Sequence, residues 1–215
     1  MKKLKPEIQD LWTRTQQIAD KYLEEVFVIV LSYINNFDNL THTKWNKGAE
    51  EILNEFYKSF EEIYSITKTS MKNIYGKENI PDFSIKDIED LTYQDDEKTI
   101  ESRIKQYWEE IYQGLKKEII NINDLKEYSY YVYSRIMNTD SAYVRTKVMK
   151  LSQPINAGMI TIDSGECGGE CPGGTYPIGE EPDLPPFHVN CCCGWQYEIT
   201  DDPQEIEDLD LEEDT

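Results

Sequence analysis

The chain of 215 residues carries 42 Asp and Glu against 22 Lys and Arg, a formal net charge of −20; 39% of its residues are hydrophobic and its mean hydropathy is −0.66. Acidity on this scale opposes sequence-independent nucleic-acid binding, which rests on neutralising phosphates, so no strong direct nucleic-acid contact is expected. No apolar run approaches the roughly 20 residues that span a bilayer; the best, Val26 to Ile34, is nine residues long and includes Ser32.

Charge is unevenly placed. All 22 Lys and Arg precede residue 151, whereas 16 of the 42 acids follow it, so −16 of the net charge lies in residues 151–215 and −4 in the rest. The N-terminal MKKLKPEIQD has basic residues but no apolar stretch behind them, so no secretory signal is expected. A chain made and kept in a reducing compartment uses clustered cysteines for metal before disulfides.

From Pro6 to about Asn36, Ile8, Leu11, Ile18, Tyr22, Val26, Val30 and Ile34 recur near every 3.6 residues, which predicts an amphipathic helix of about 30 residues. Phe37 to Thr43 reads as a polar connection containing His42 as a solvated loop residue. A second helix carries Trp45, Ala49, Ile52, Phe56, Phe60 and Ile63 on one stripe, and the short connection predicts antiparallel pairing of the two. Gly76 and Pro81 break the pattern. Ser84 and Asp87 resemble a capping box opening a short helix through Leu91, and Asp95 and Asp96 sit at the expected start of the next, where carboxylates favour the positive end of the macrodipole. That helix has the cleanest stripe: Ile100, Ile104, Trp108, Ile111, Leu115 and Ile119. Asn123 or Asp124 is expected to cap another with Leu125, Tyr128, Val132 and Ile136 inward, and Thr139, Asp140 and Ser141 offer a further cap before Tyr143 to Leu151. Tyr128, Tyr130, Tyr131 and Tyr133 are too dense for one buried face, so some are exposed and available to a partner.

At Pro154 helical periodicity stops. Met159 to Ile162 reads as a short β-like segment, followed by glycine-rich sequence that needs a staple to be ordered. All five cysteines and His188 fall in the 27 positions from Cys167 to Cys193. Cys167 and Cys171 are separated by three residues, Gly168 and Gly169 among them, a spacing used by zinc sites. After 16 intervening residues comes His188, then Cys191 and Cys193. A Cys-Cys-His-Cys tetrahedron takes Cys167, Cys171, His188 and either Cys191 or Cys193; Cys192 faces the opposite way in an extended segment. One structural zinc would then supply folding free energy to a stretch with almost no apolar core of its own. Glu198 to Thr215 carries ten acids and no base and reads as a solvating tail or a segment that folds against a basic surface.

The expected fold is therefore mainly α: an elongated antiparallel helical body over residues 1–153, a small zinc-stapled α+β module over 154–197, and an acidic tail over 198–215. The segment Leu184 to Cys193, LPPFHVNCCC, resembles the PPFHPNCRC signature of tailed-phage head morphogenesis proteins, the minor head proteins of the phage Mu F type. Arg145-Thr146 resembles that family's Arg-Thr-Glu element. Val189, Cys192 and Lys147 stand where the family has Pro, Arg and Glu, and the Cys pair is spaced by three residues instead of two. The resemblance covers residues 140–197. It implies a virion component at the capsid interior or portal vertex, made in host cytoplasm, partnered by the portal and major capsid proteins, and active in head morphogenesis and DNA packaging or delivery; self-association through the helices is a separate expectation. No enzymatic activity is expected; the alternative is a zinc-dependent hydrolase or toxin-like enzyme, for which the chain offers no spare histidine or paired-carboxylate motif.

Overall fold

The structure is a computed structural model that describes residues 4–76, 99–117, 121–154, 156–164, 171–186 and 193–199. Four helices are followed by a three-stranded antiparallel sheet. Helix α1 spans Pro6–Asn35, α2 His42–Tyr75, α3 Ile100–Lys116 and α4 Ile122–Leu151. The strands are β1 (Ala157–Asp163), β2 (Gly174–Pro177) and β3 (Gly194–Ile199). No described helix is long and apolar enough to cross a membrane.

The apolar stripes read from the sequence are the buried faces. Ile8, Leu11, Ile18, Val26, Val30 and Ile34 of α1 and Trp45, Ala49, Ile52, Phe56, Phe60 and Ile63 of α2 are all buried, as are Ile100, Ile104, Trp108 and Ile111 of α3. A 3-10 turn at Phe37–Asn39 reverses the chain between α1 and α2. Tyr33 bonds Glu51 and Lys21 bonds Glu62, so residues move in opposite directions along the pair. The same reasoning sets α3 antiparallel to α2 through Trp108–Trp45 and His42–Glu109, and α4 antiparallel to α1 through Phe27–Tyr130 and Gln16–Asn138. The result is an up-down-up-down bundle.

Helix α3 is locked in place by an aromatic exchange. Trp45 and Trp108 stack with centroids 4.4 Å apart and planes 17° apart. Trp108 Nε1 donates to the Trp45 carbonyl at 2.8 Å, and Trp45 Nε1 donates to the Trp108 carbonyl at 3.4 Å. Each indole N–H, costly to bury unpaired, is thus satisfied by the other's backbone. A Cβ at Gly48 would lie 2.3 Å from the Trp108 ring, so only glycine admits this approach.

At 17 residues α3 is little more than half as long as α1, α2 or α4. It covers the hairpin end of the bundle, where the larger core cluster lies. The sheet covers the other end: Ile160, Ile162, Trp195 and Tyr197 share a second core cluster with Ile8, Leu11, Met71 and Met149. The strands therefore have no apolar core apart from the helices.

Several local expectations are corrected. Helix α2 begins at His42, so that residue is in its first turn and not in the connection, and Thr41 supplies the cap by accepting from the Lys44 amide. Helix α3 is capped by Thr99, which accepts from Ser102; the short helix from Ser84 to Leu91, Asp95, Asp96 and Ile119 lie outside the described residues. Helix α4 is capped by Asn121, not by Asn123 or Asp124. Tyr128, assigned to its inner stripe, is 39% exposed and donates to Glu110.

The largest correction concerns Thr139, Asp140 and Ser141. They cap nothing: α4 runs through them without a break, and all three are buried. Asp140 accepts from Arg103 Nη2 of α3 with both carboxylate oxygens, at 2.9 and 3.0 Å. A cap carboxylate binds backbone N–H groups; here the partner is a guanidinium on another helix, and the helical hydrogen bonds stay intact. Of the tyrosine cluster, Tyr133 is buried and Tyr128, Tyr130 and Tyr131 are exposed, as density alone required.

Asp140→Ala should lower stability by about 3–5 kcal/mol in urea denaturation, because it leaves the Arg103 charge buried without its carboxylate. Arg103→Met with Asp140→Leu should recover most of that loss. A single variant within about 1 kcal/mol of the parent would show that the pair contributes little.

Candidate metal centre

The last three turns of α4 hold the C-terminal region in place. Arg145 lies with its guanidinium carbon 3.3 Å from the Trp12 ring centroid, and its Nη1 donates to Thr15 Oγ1 at 2.8 Å. This cation–π contact and hydrogen bond, both largely out of solvent, fix α4 to α1. One residue on, the Thr146 hydroxyl donates to the Pro185 carbonyl and accepts from Trp195 Nε1 at 3.3 Å. Met149 and Lys150 offer their carbonyls to the Tyr197 hydroxyl at 3.4 and 3.3 Å. Adjacent residues of one helix thus bind the N-terminal helix and the sheet respectively.

The sheet order is β2-β1-β3. Ile162 faces Gly174 on one side and Trp195 on the other, and Asp163 faces Gly194. The last residues of β1 are therefore flanked by the first residues of β2 and β3. Cys171 lies three residues before β2 and is half-buried; Cys193 lies immediately before β3 and is fully buried. Both enter the sheet from the same end. The connection between β1 and β2 is closed at its base, where a Cβ on Gly173 would come 2.5 Å from Ser164 Oγ. Gly194 is held by a similar close approach: its Cβ would meet Leu4 at 2.4 Å.

A polar ladder crosses the three strands. Thr175 and Thr161 hydroxyls are 3.0 Å apart, Thr161 donates to Glu198 Oε1 at 2.8 Å, and Gln196 Nε2 donates to the same oxygen at 2.9 Å. Gln196 Oε1 accepts from the Lys5 amide. Glu198 is an acceptor in both bonds, as an ionised carboxylate requires. The outer edge of β3 is covered by Tyr75, whose hydroxyl donates to the Tyr197 carbonyl and accepts from the Tyr197 amide, both at 3.2 Å. That satisfies a pair of backbone groups that an edge strand leaves open.

Of the expected ligands, Cys171 and Cys193 are described, whereas Cys167, His188 and Cys191 lie outside the described residues. No group of three or more His, Cys, Asp or Glu side chains positioned for a metal occurs among the described residues. The donor chemistry fits zinc, since thiolate and imidazole are its structural ligands, and two of the donors enter the sheet at one end. Trp12, Thr15, Arg103 and the β3 segment GWQYEI carried no weight in the sequence reading. Trp195 and Tyr197 alternating after Gly194 were a strand signal; the pairing of Arg145 with Trp12, more than 130 positions away, left no local trace.

No family model, curated protein or solved structure matches the chain.

Burial pushes the Tyr75 hydroxyl up to about 12 and that of Tyr197 still higher. A raised tyrosine stabilises the fold fully below its ordinary value near ~10, and the contribution is lost as pH rises through about 12. Tyr75→Phe should lower stability at neutral pH by about 1 kcal/mol and flatten the loss between these pH values. Thermal melts across the alkaline range provide the check, and superimposable profiles for variant and parent would show that Tyr75 plays no such part.

Proposed function

We propose that the chain is a structural protein of tailed-phage heads, a minor head protein of the phage Mu F type, whose C-terminal module is stapled by one structural zinc. The observation that carries this reading is the contact between the two parts of the sequence signature. Arg145-Thr146 and Leu184 to Cys193 are separate in the chain, yet the Thr146 hydroxyl bonds the Pro185 carbonyl. Signature residues that meet in the fold are expected of one structural unit.

Cys167, Cys171 and His188, with Cys191 or Cys193, would hold the metal. Bound zinc supplies cross-linking and folding free energy. The protein's own residues bring the ends of the two ligand-bearing connections to the sheet: Ser164 and Gly173 close one, and Thr146 binds both ends of the other. The sheet's dependence on the helices for its apolar core suits an added staple. For the portal and major capsid partners, the exposed tyrosines of α4 supply amphipathic contact area. Net acidity keeps such a protein from competing for packaged DNA.

Two measurements test the proposal separately. Mass spectrometry of purified particles from the phage encoding the chain should find it at far lower copy than the major capsid protein, and its absence would overturn the head assignment. Replacing Cys167 and Cys171 with Ser should abolish zinc by elemental analysis and leave the helical circular dichroism largely intact. Equal metal content in variant and parent would sink the metal centre.

A further inference from the structure

We infer that the outer face of the α1–α4 pair is a self-complementary surface on which a second copy of this chain docks, α1 of each copy on α4 of the other. Three exposed large hydrophobic side chains meet there: Val28 is 63% exposed, Tyr131 54% and Tyr130 49%. Tyr130 joins the two helices through its edge contact with Phe27, ring centroids 5.3 Å apart. Val28 and Tyr131, each one residue further round its own helix, lie on either side of that seam. Apolar side chains scattered singly over a surface need no explanation, whereas a contiguous group marks a contact site. Tyr128 stands apart, turned to α3 by its bond to Glu110, and stays available to other partners.

The charges around this apolar centre select the occupant. Glu24 and Asp20 lie one and two turns before Val28 on α1, at the four-residue spacing that keeps side chains on one face, and both are exposed. Arg135 lies one turn after Tyr131 on α4; its guanidinium carbon is 5.3 Å from the Tyr131 ring and its Nη1 donates to the Tyr131 hydroxyl at 3.3 Å. Neither Glu24 nor Arg135 has an ion-pair partner among the described residues. One flank of the face is therefore acidic and the other basic. The heights agree: Gln16 meets Asn138 and Phe27 meets Tyr130 across the antiparallel pair, so Asp20, Glu24 and Arg135 all fall between those two levels. A two-fold axis parallel to the helices exchanges α1 with α4 and leaves height unchanged. It sets Asp20 and Glu24 of one copy against Arg135 of the other and Val28 against Tyr131, each pairing occurring twice, as an isologous interface requires. Glu127, one turn before Tyr131, comes level with Leu31 and Ser32, which carry no charge. The face belongs to residues 1–150, which hold only −4 of the net charge of −20, so repulsion between copies is small there. From Gln17 to Ser32 it is about 24 Å long and two helix diameters wide, a footprint of about 480 Å² before side-chain corrugation is counted. That is close to the ~600 Å² per partner at which specific interfaces begin, and it sets the expected dimer as a reversible one.

Sedimentation equilibrium of the full chain, over about two decades of concentration up to ~100 µM, is the test. The parent's mass should climb from 25.2 kDa toward twice that value. Arg135→Glu should hold the chain at the monomer mass, because every facing pair becomes repulsive. Asp20→Lys with Glu24→Lys should do the same. All three substitutions in one chain restore opposite signs across the interface and should return the dimer, a recovery that unspecific apolar adhesion would not give. Val28→Glu, at the most exposed position of the face, should also give a monomer and decides the matter if Arg135→Glu does not keep its helical circular dichroism. A parent that stays monomeric overturns the inference and leaves the face to a different protein. A dimer that survives Val28→Glu and Arg135→Glu shows that the copies meet elsewhere, and charge-swapped chains that fail to reassociate rule out α1 on α4; either result overturns it. The head assignment and the metal centre stand or fall by their own measurements, independently of these masses.

Discussion

The fold depends on how one helix accommodates polar side chains that it buries. Between Asp140 and Thr146, α4 places a carboxylate, a guanidinium and a hydroxyl out of contact with water. Each would be costly alone, and each is matched by a different part of the chain. Asp140 takes Arg103 of α3, Arg145 takes Trp12 and Thr15 of α1, and Thr146 takes Pro185 and Trp195 of the C-terminal segment. Apolar packing is tolerant of sliding and rotation. These pairings are directional, so they set where α1, α3 and the sheet sit on α4.

The division of labour along α4 follows. Besides packing against α1 and α2, α4 is joined to α3 through Asp140 and to the sheet through Thr146. A short α3 and a small sheet together do what one long helix does in a regular bundle. Because Ile160, Ile162, Trp195 and Tyr197 are buried against helical residues, the C-terminal region is organised from the bundle outward. Its strands bring the Cys171 and Cys193 segments to one end, next to the closed Ser164–Gly173 base.

The same chemistry explains what the sequence misled about. Thr, Asp and Ser in succession within a helical pattern are cap residues by local preference, because their side chains compete for backbone N–H groups. That preference lost to a guanidinium on another helix. Thr139 and Ser141 flank Asp140 with hydroxyl oxygens that have no hydrogen-bond partner among the described residues, which is the opposite of capping. The cap positions at Thr41, Thr99 and Asn121 were missed by a few residues, since several candidates stood close together and only the path of the chain chose among them.

Periodicity by itself determined the helices and their inner faces: an apolar residue every three or four positions cannot be buried on any other surface, and Ile8 to Ile34 or Trp45 to Ile63 leave no second solution. The sequence also places all five cysteines and His188 within 27 positions. Tertiary structure alone decided that α4 is continuous, that Arg103, Trp12 and Thr15 are its partners, and that Thr146 gathers both ends of the Pro185–Trp195 connection. Those contacts join residues far apart in the chain through single polar atoms. A hydrogen bond of this kind imposes no repeat on the residues around it, so nothing along the sequence records it.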